Sequence, residues 1–352
     1  MMTATTHERP GVYSSYEASS LTAASANGGK VAVVAGAGNL KNGKDLYQWT
    51  SYSKAAADVG DCALSKMAQL AIRNGAAAVY GIPVKTGEDD DGKKYQAAFE
   101  VAAAIEDVSV VVCDSTEGSV QNLLKEMVEK CSKARKERIA VVGGKAKESV
   151  EALVERAEKL NCERMVLVAP GMGDNSGGAG CAAAVAGAIA GTTDPALPLG
   201  GAQLYGLEGL ECSYDDGEID ELVKGGVTAL ETLAGACYVV RGVTTKTKTG
   251  DAPDATWREL STILVVDEVI PGIRDALRAK FSRAKNTRQT RGAIRSQTVM
   301  ELEKRVSREI IDSYEDVTVS ALEDNPTVCL VEFSFTVAHG LNQVWLSAHI
   351  TV

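Results

Sequence analysis

Short apolar runs alternate with helix-spaced stretches along most of the chain. Runs at Val31–Ala35, Ala77–Val84, Val108–Asp114, Ile139–Val142 and Met165–Ala169 read as buried strands. Between them, Ala55–Asn74, Tyr95–Ile105, Ser119–Ala134 and Glu148–Leu160 carry apolar residues at helical spacing. Such alternation predicts βαβ units and a largely parallel sheet, because parallel neighbours need a long crossover connection. A Gly-rich stretch then leads into Ala179–Ala190, which reads as a buried helix with close neighbours, and Asp194–Leu210, with Pro195 and Pro198, reads as loop.

The last hundred residues follow a different pattern. Thr256–Ala284 predicts an extended lead-in and then a helix with the stripe Val269, Ile273, Leu277 and Phe281, and Arg291–Asp312 repeats helical spacing through Leu302, Val306 and Ile310. Two-residue alternation follows at Val317, Val319 and Ala321, at Val331, Phe333, Phe335 and Val337, and at Val344, Leu346, Ala348, Ile350 and Val352. Val344–Val352 carries no Asp, Glu, Lys or Arg, so as a strand it presents an edge that proteins normally blunt or cover.

At the other end, 17 of the first 30 residues are Ser, Thr, Ala or Gly, and the large apolar residues are Val12, Tyr13, Tyr16 and Leu21. That is too little to hold a core, so the segment reads as an arm whose Gly11–Tyr16 piece becomes a strand when another sheet accepts it. The expected organisation is an arm at 1–29, a layered α/β domain at 30–244, an α+β domain at 245–341 ending in antiparallel strands, and an arm strand at 342–352.

Composition narrows the function. The 352 residues are 45% hydrophobic and 24% charged with a formal charge of −10, which disfavours whole-chain binding to nucleic acid or anionic lipid. No apolar run approaches the roughly 20 residues of a membrane span. The start, MMTATTHERP, lacks the basic and apolar pattern of a secretory signal, so a reducing cytoplasm is expected. The eight cysteines are scattered with no CxxC and read as buried thiols, and with 34 glycines and few aromatics the core must be built from Ala, Val, Leu and Ile.

Candidate chemistry is sparse. Gly36-Ala37-Gly38, Gly143-Gly144-Lys145 and Gly171-Met172-Gly173 each follow a predicted strand, where loop N–H groups can hold a phosphate, but each matches its motif in part only. They leave a soluble nucleotide-binding α/β enzyme as the alternative function. An acyltransferase-like reading around Cys181 lacks a base, since the histidines are His7, His339 and His349. There is no histidine pair with metal-ligand spacing, and the acidic run Asp215–Glu221 reads as a solvated helix start. No catalytic residue, cofactor or metal is therefore expected. One charge feature stands out: Arg278, Lys280, Arg283, Lys285, Arg288, Arg291 and Arg295 follow one another with no acidic residue between them. On a continuing helix, Arg274, Arg278 and Lys285 fall in one strip about 40° wide at 100° per residue.

Several phrases together resemble contractile tail sheath proteins of phages and R-type bacteriocins: Arg9-Pro-Gly-Val-Tyr, Ala196-Leu-Pro-Leu-Gly-Gly-Ala-Gln-Leu, Val265-Val266-Asp267-Glu268-Val269-Ile270, Lys285-Asn-Thr, the helix through Glu301–Ile311 and the closing strands. The resemblance implies a non-enzymatic subunit that polymerises helically around an inner tube and contracts to drive it through a cell envelope. It implies further partners in baseplate and tail terminator proteins, with assembly in the bacterial cytoplasm before incorporation into a virion or bacteriocin particle. By the same resemblance, Val12, Tyr13, Tyr16, Val344, Leu346, Ile350 and Val352 would add strands to neighbouring copies, and Arg274, Arg278, Lys285 and Arg288 would face the tube.

Overall fold

The structure is a computed structural model and describes residues 28–37, 43–84, 91–173, 177–342 and 345–348. Its first half runs β1 (Lys30–Gly36), β2 (Tyr47–Trp49), α1 (Tyr52–Val59), α2 (Ala63–Arg73), β3 (Ala78–Val84), α3 (Asp91–Ala104), β4 (Val110–Cys113), α4 (Gly118–Lys133), β5 (Ile139–Gly143), α5 (Val150–Leu160), β6 (Met165–Ala169) and α6 (Ala179–Gly191). There follow β7 (Gln203–Leu204), α7 (Asp216–Lys224), β8 (Val227–Leu233), β9 (Ala236–Val239), β10 (Lys248–Thr249), β11 (Ala252–Pro253), α8 (Leu260–Phe281), α9 (Arg288–Val306), β12 (Ile311–Leu322) and β13 (Asn325–Val337).

Nine strands form one sheet in the order β2-β3-β1-β4-β5-β6-β8-β9-β7. The six central strands, β3 through β8, are parallel, and antiparallel strands close both ends. Helices on both faces make the central strands almost wholly apolar, as two-sided burial requires. The edges are blunt, three residues in β2 and two in β7, which limits unwanted pairing.

The Ala-rich helix α6 is buried along nearly its whole length. Its glycine at 187 is a packing requirement, since a Cβ there would overlap the Ala71 carbonyl of α2. The expected Ala55–Asn74 helix is two helices, broken at Gly60, which takes φ of 76°.

The C-terminal layer packs α8 and α9 against the antiparallel pair β12–β13 around Val265, Val269, Ile273, Leu302, Ile310, Ile311 and Val317. Two expectations are corrected here. The extended lead-in before Val269 is helical from Leu260, because Leu260, Ile263, Val265 and Val269 have a core to bury against. The helix ends at Phe281, so Lys285 lies in the following turn, off the helical strip predicted with Arg274 and Arg278.

Candidate assembly surfaces

The C-terminal layer seats its first helix at the N-terminal ends of the sheet strands. Arg164, just before β6, makes a two-pronged ion pair with Asp267 of α8 at 2.7 and 2.8 Å, with side chains 8% and 16% exposed. Arg274, two turns further along α8, pairs with Glu137 at 2.6 Å. Burial is the largest single influence and pushes the Glu137 carboxyl up, but the Arg274 hydrogen bond, a backbone hydrogen bond and the charges of Arg274 and Arg164 together outweigh it, and it ends below its ordinary value. Arg241 and Glu259 form a third pair at the start of α8. Together these hold α8 in one orientation on the central sheet.

The same arrangement separates the basic residues into two classes. Arg274 spends its charge on Glu137 within the chain. Lys280 donates to Gln297, Arg291 to Asn286, and Arg295 to the Val317 carbonyl at a bulge of β12. Arg278, Arg283, Lys285 and Arg288 are exposed and make no ion pair among the described residues. Three of the four residues expected to face the tube, Arg278, Lys285 and Arg288, thus stand on one solvent-facing turn and its flanks; Arg274 does not share their exposure.

Beyond α9 the hairpin β12–β13 has one face on the helices, through Phe333, Phe335 and Val337, and the other open. It is a two-stranded sheet, a form that is marginal alone. After β13, Gly340 passes so close to Pro198 that a Cβ would lie 2.8 Å from its ring. The described residues 345–348 are not in a strand, and Leu346 is 92% exposed. Of the expected arm residues, Val12, Tyr13, Tyr16, Val344, Ile350 and Val352 lie outside the described residues.

The three glycine loops sit at the opposite, C-terminal ends of the strands, where doubly wound proteins bind ligands. Among the described residues, one backbone N–H of each loop is taken by a carboxylate of its own chain. Asp114 accepts from Gly36 N at 2.8 Å and from the Tyr95 hydroxyl at 2.6 Å. Glu148 accepts from Lys145 N at 2.7 Å and is held by Arg156. Glu211 accepts from Gly171 N at 3.0 Å and Lys147 N at 3.1 Å. A phosphate drawn to Gly36 N, Lys145 N or Gly171 N would have to displace a carboxylate. Cys181 is buried within α6, and the acidic run opens α7 with a capping box between Asp215 and Glu218. Among the described residues, no group of His, Cys, Asp and Glu is placed to hold a metal, and no helix is long and apolar enough to cross a membrane.

Sequence comparison matches residues 90–245 to the phage tail sheath protein central domain and residues 252–351 to the phage tail sheath C-terminal domain, together nearly three quarters of the chain. The tail sheath protein of Bacillus phage SP01 is 27% identical over 253 residues, 69% of this chain, and this chain spans 43% of that protein's length. Among solved structures, the fold is similar to a chain of the anti-feeding prophage baseplate, with a TM-score of 0.75 at 14% identity over 99% of this chain and 100% of that one. It is also similar to the helical sheath of the anti-feeding prophage in its contracted state, with a TM-score of 0.71 at 15% identity over 98% and 99%.

Proposed function

The chain belongs to the contractile phage tail sheath family, and from that premise we propose that it polymerises head to tail into a helical sheath around an inner tube. The arms 1–29 and 342–352 add strands to neighbouring copies. The α/β domain 30–244 forms the outer layer, and the domain 245–341 forms the inner one. Arg278, Lys285 and Arg288 meet an acidic surface of the tube. Baseplate and tail terminator proteins cap the two ends of the polymer, which assembles in the bacterial cytoplasm and then becomes part of a virion or bacteriocin particle.

Contraction in this reading needs no nucleotide. The extended sheath is kinetically trapped; once a baseplate releases one ring, each ring buries more inter-subunit surface and the change propagates. The pairs Arg164–Asp267 and Arg274–Glu137 support the view that a subunit moves as one body, with adjustment in its arms.

The observation that carries the proposal is the two-stranded hairpin β12–β13 followed by an extension whose Leu346 is almost fully exposed. Strand addition gives such an extension backbone partners and gives the hairpin the further strand it lacks. The full chain should form tubes or stacked rings by electron microscopy, and removal of Val344–Val352 should leave a folded monomer. Tubes that persist after that truncation would defeat the role given to the C-terminal arm.

A further inference from the structure

Both proposed arms leave the body of the subunit at glycines that have no room for a side chain. At the N-terminal exit, Gly29 N donates to the Ala190 carbonyl, near the end of α6, at 2.6 Å, and the Gly29 carbonyl accepts from Ala77 N at 3.0 Å. A Cβ at Gly28 would overlap the Gly75 carbonyl and one at Gly29 the Ser109 hydroxyl, and either would lie 3.3 Å from the Ala190 oxygen. At the C-terminal exit, a Cβ at Gly340 would lie 2.8 to 2.9 Å from three atoms of the Pro198 ring, and the next residue, Leu341, is 77% exposed. Gly29 and Gly340 do not take φ in the left-handed region, so glycine stands there for space and not for backbone conformation.

The two exits share one support, because Ala190 and Pro198 belong to the last turn of α6 and the loop that follows it. That stretch is stiff. The end of α6 is wedged against the turn after α2, where a Cβ on Gly75 or Gly191 would lie 2.9 or 2.8 Å from the other's Cα. Thr192 closes the helix on the Ala188 carbonyl with its hydroxyl at 2.8 Å and its N–H at 3.1 Å. Asp194 then holds the next turn, its carboxylate accepting from Ala196 N at 3.0 Å and its carbonyl from Leu197 N at 3.2 Å. Ala196 is buried in the core of the C-terminal layer, and Pro195 and Pro198 fix φ on either side of it. We infer that the end of α6 and the loop through Pro198 are a common seat for the two arms: each arm leaves the rigid body from a fixed point on this strut, and a displacement at one exit is passed to the other. Adjustment within a sheath then lies beyond Gly28 and Gly340, and neighbours joined through the two arms pull on a single element. This inference rests on the strand-addition reading above and adds to it the place where the arms are held.

The test compares the full chain with Gly28→Ala, Gly340→Ala and the double variant, reading the protein concentration at half-assembly by sedimentation and the thermal midpoint of the dilute, unassembled chain. Gly340→Ala should raise the half-assembly concentration at least fivefold and leave the midpoint unchanged, since Gly340 lies past the last core strand. Pro198→Gly in the same chain, which clears the ring, should bring that concentration back to within twofold of the parent's. Gly28→Ala should raise it as well; if this variant lowers the midpoint, Gly29→Ala takes its place, because the Ser109 hydroxyl that it meets can turn aside. The double variant's rise should differ at least threefold from the product of the two single rises, as expected of positions coupled through one structure. A Gly340→Ala chain that assembles like the parent, one that Pro198→Gly fails to restore, or a double variant whose rise equals the product would each overturn the common seat while leaving strand addition standing. Tubes formed by a chain lacking Val344–Val352 would overturn strand addition and the seat with it.

Discussion

At the scale of single residues, the most informative group is Asp114. It lies at the end of β4, half-buried, between the Tyr95 hydroxyl and Gly36 N. Burial raises its carboxyl above the ordinary range even though both hydrogen bonds oppose this. The native state then holds a proton that the unfolded state has released, so this residue's contribution to stability falls as pH rises from the unfolded value near about 4 through the raised native one. Asp114→Asn, which keeps an acceptor for Gly36 N, should therefore compare more favourably with the parent at pH 7 than at pH 4 in denaturant unfolding. The opposite trend would show that the hydrogen bonds dominate. Asp114→Leu removes the acceptor of Gly36 N and of the Tyr95 hydroxyl and should cost about 1–3 kcal/mol throughout. The glycine loop at this site was legible in the sequence, as were the other two. The carboxylates that fill the loops were not, because Asp114 and Glu211 are brought in by strand order and a long connection, which no local spacing records.

At the scale of elements, the crossing of α8 and α9 depends on one position. Pro271 and Gly272 sit inside α8, and a Cβ at 272 would overlap the Arg305 guanidinium. Arg305 is buried and cannot withdraw freely, since it donates to the Glu301 carbonyl at 2.8 Å and to the Glu301 carboxylate at 3.0 Å. Gly272→Ala therefore sets a gain in helix propensity of up to about 1 kcal/mol against overpacking of about 1–3 kcal/mol. The thermal midpoint should drop, and a midpoint at or above the parent's would mean that Arg305 moves aside without cost. The sequence announced α8 by its apolar spacing but misplaced its start, because the β-branched run Val265-Val266 is strand-prone and only the packed layer makes it helical. The hairpin β8–β9 went unread for a related reason: its turn is Ala234-Gly235, with φ of 50° and 82°, where an Asn-Gly pair would have signalled it.

At the scale of the whole molecule, the proposed contact of a chain of net charge −10 with an acidic surface depends on segregation of its charge. Arg278, Lys285 and Arg288 are gathered at the far end of α8, the turn after it and the first residue of α9, and the ion pairs along α8 keep it fixed on the sheet. Reversal of Arg278 and Lys285 to Glu changes only exposed positions, so the folding midpoint should move little, by about 0.5 kcal/mol or less in stability. Assembly around the tube should nevertheless fail. The parent's assembly should weaken as salt is raised from about 0.1 to 1 M, since the Debye length falls from about 10 to 3 Å. Arg274→Glu serves as the contrast: it places a second carboxylate against Glu137 and should lower the folding midpoint itself, before any partner is present. If the double reversal gave normal extended particles while Arg274→Glu unfolded as expected, the basic turn would be solvated surface and the proposed contact of Arg278, Lys285 and Arg288 with a tube would fall.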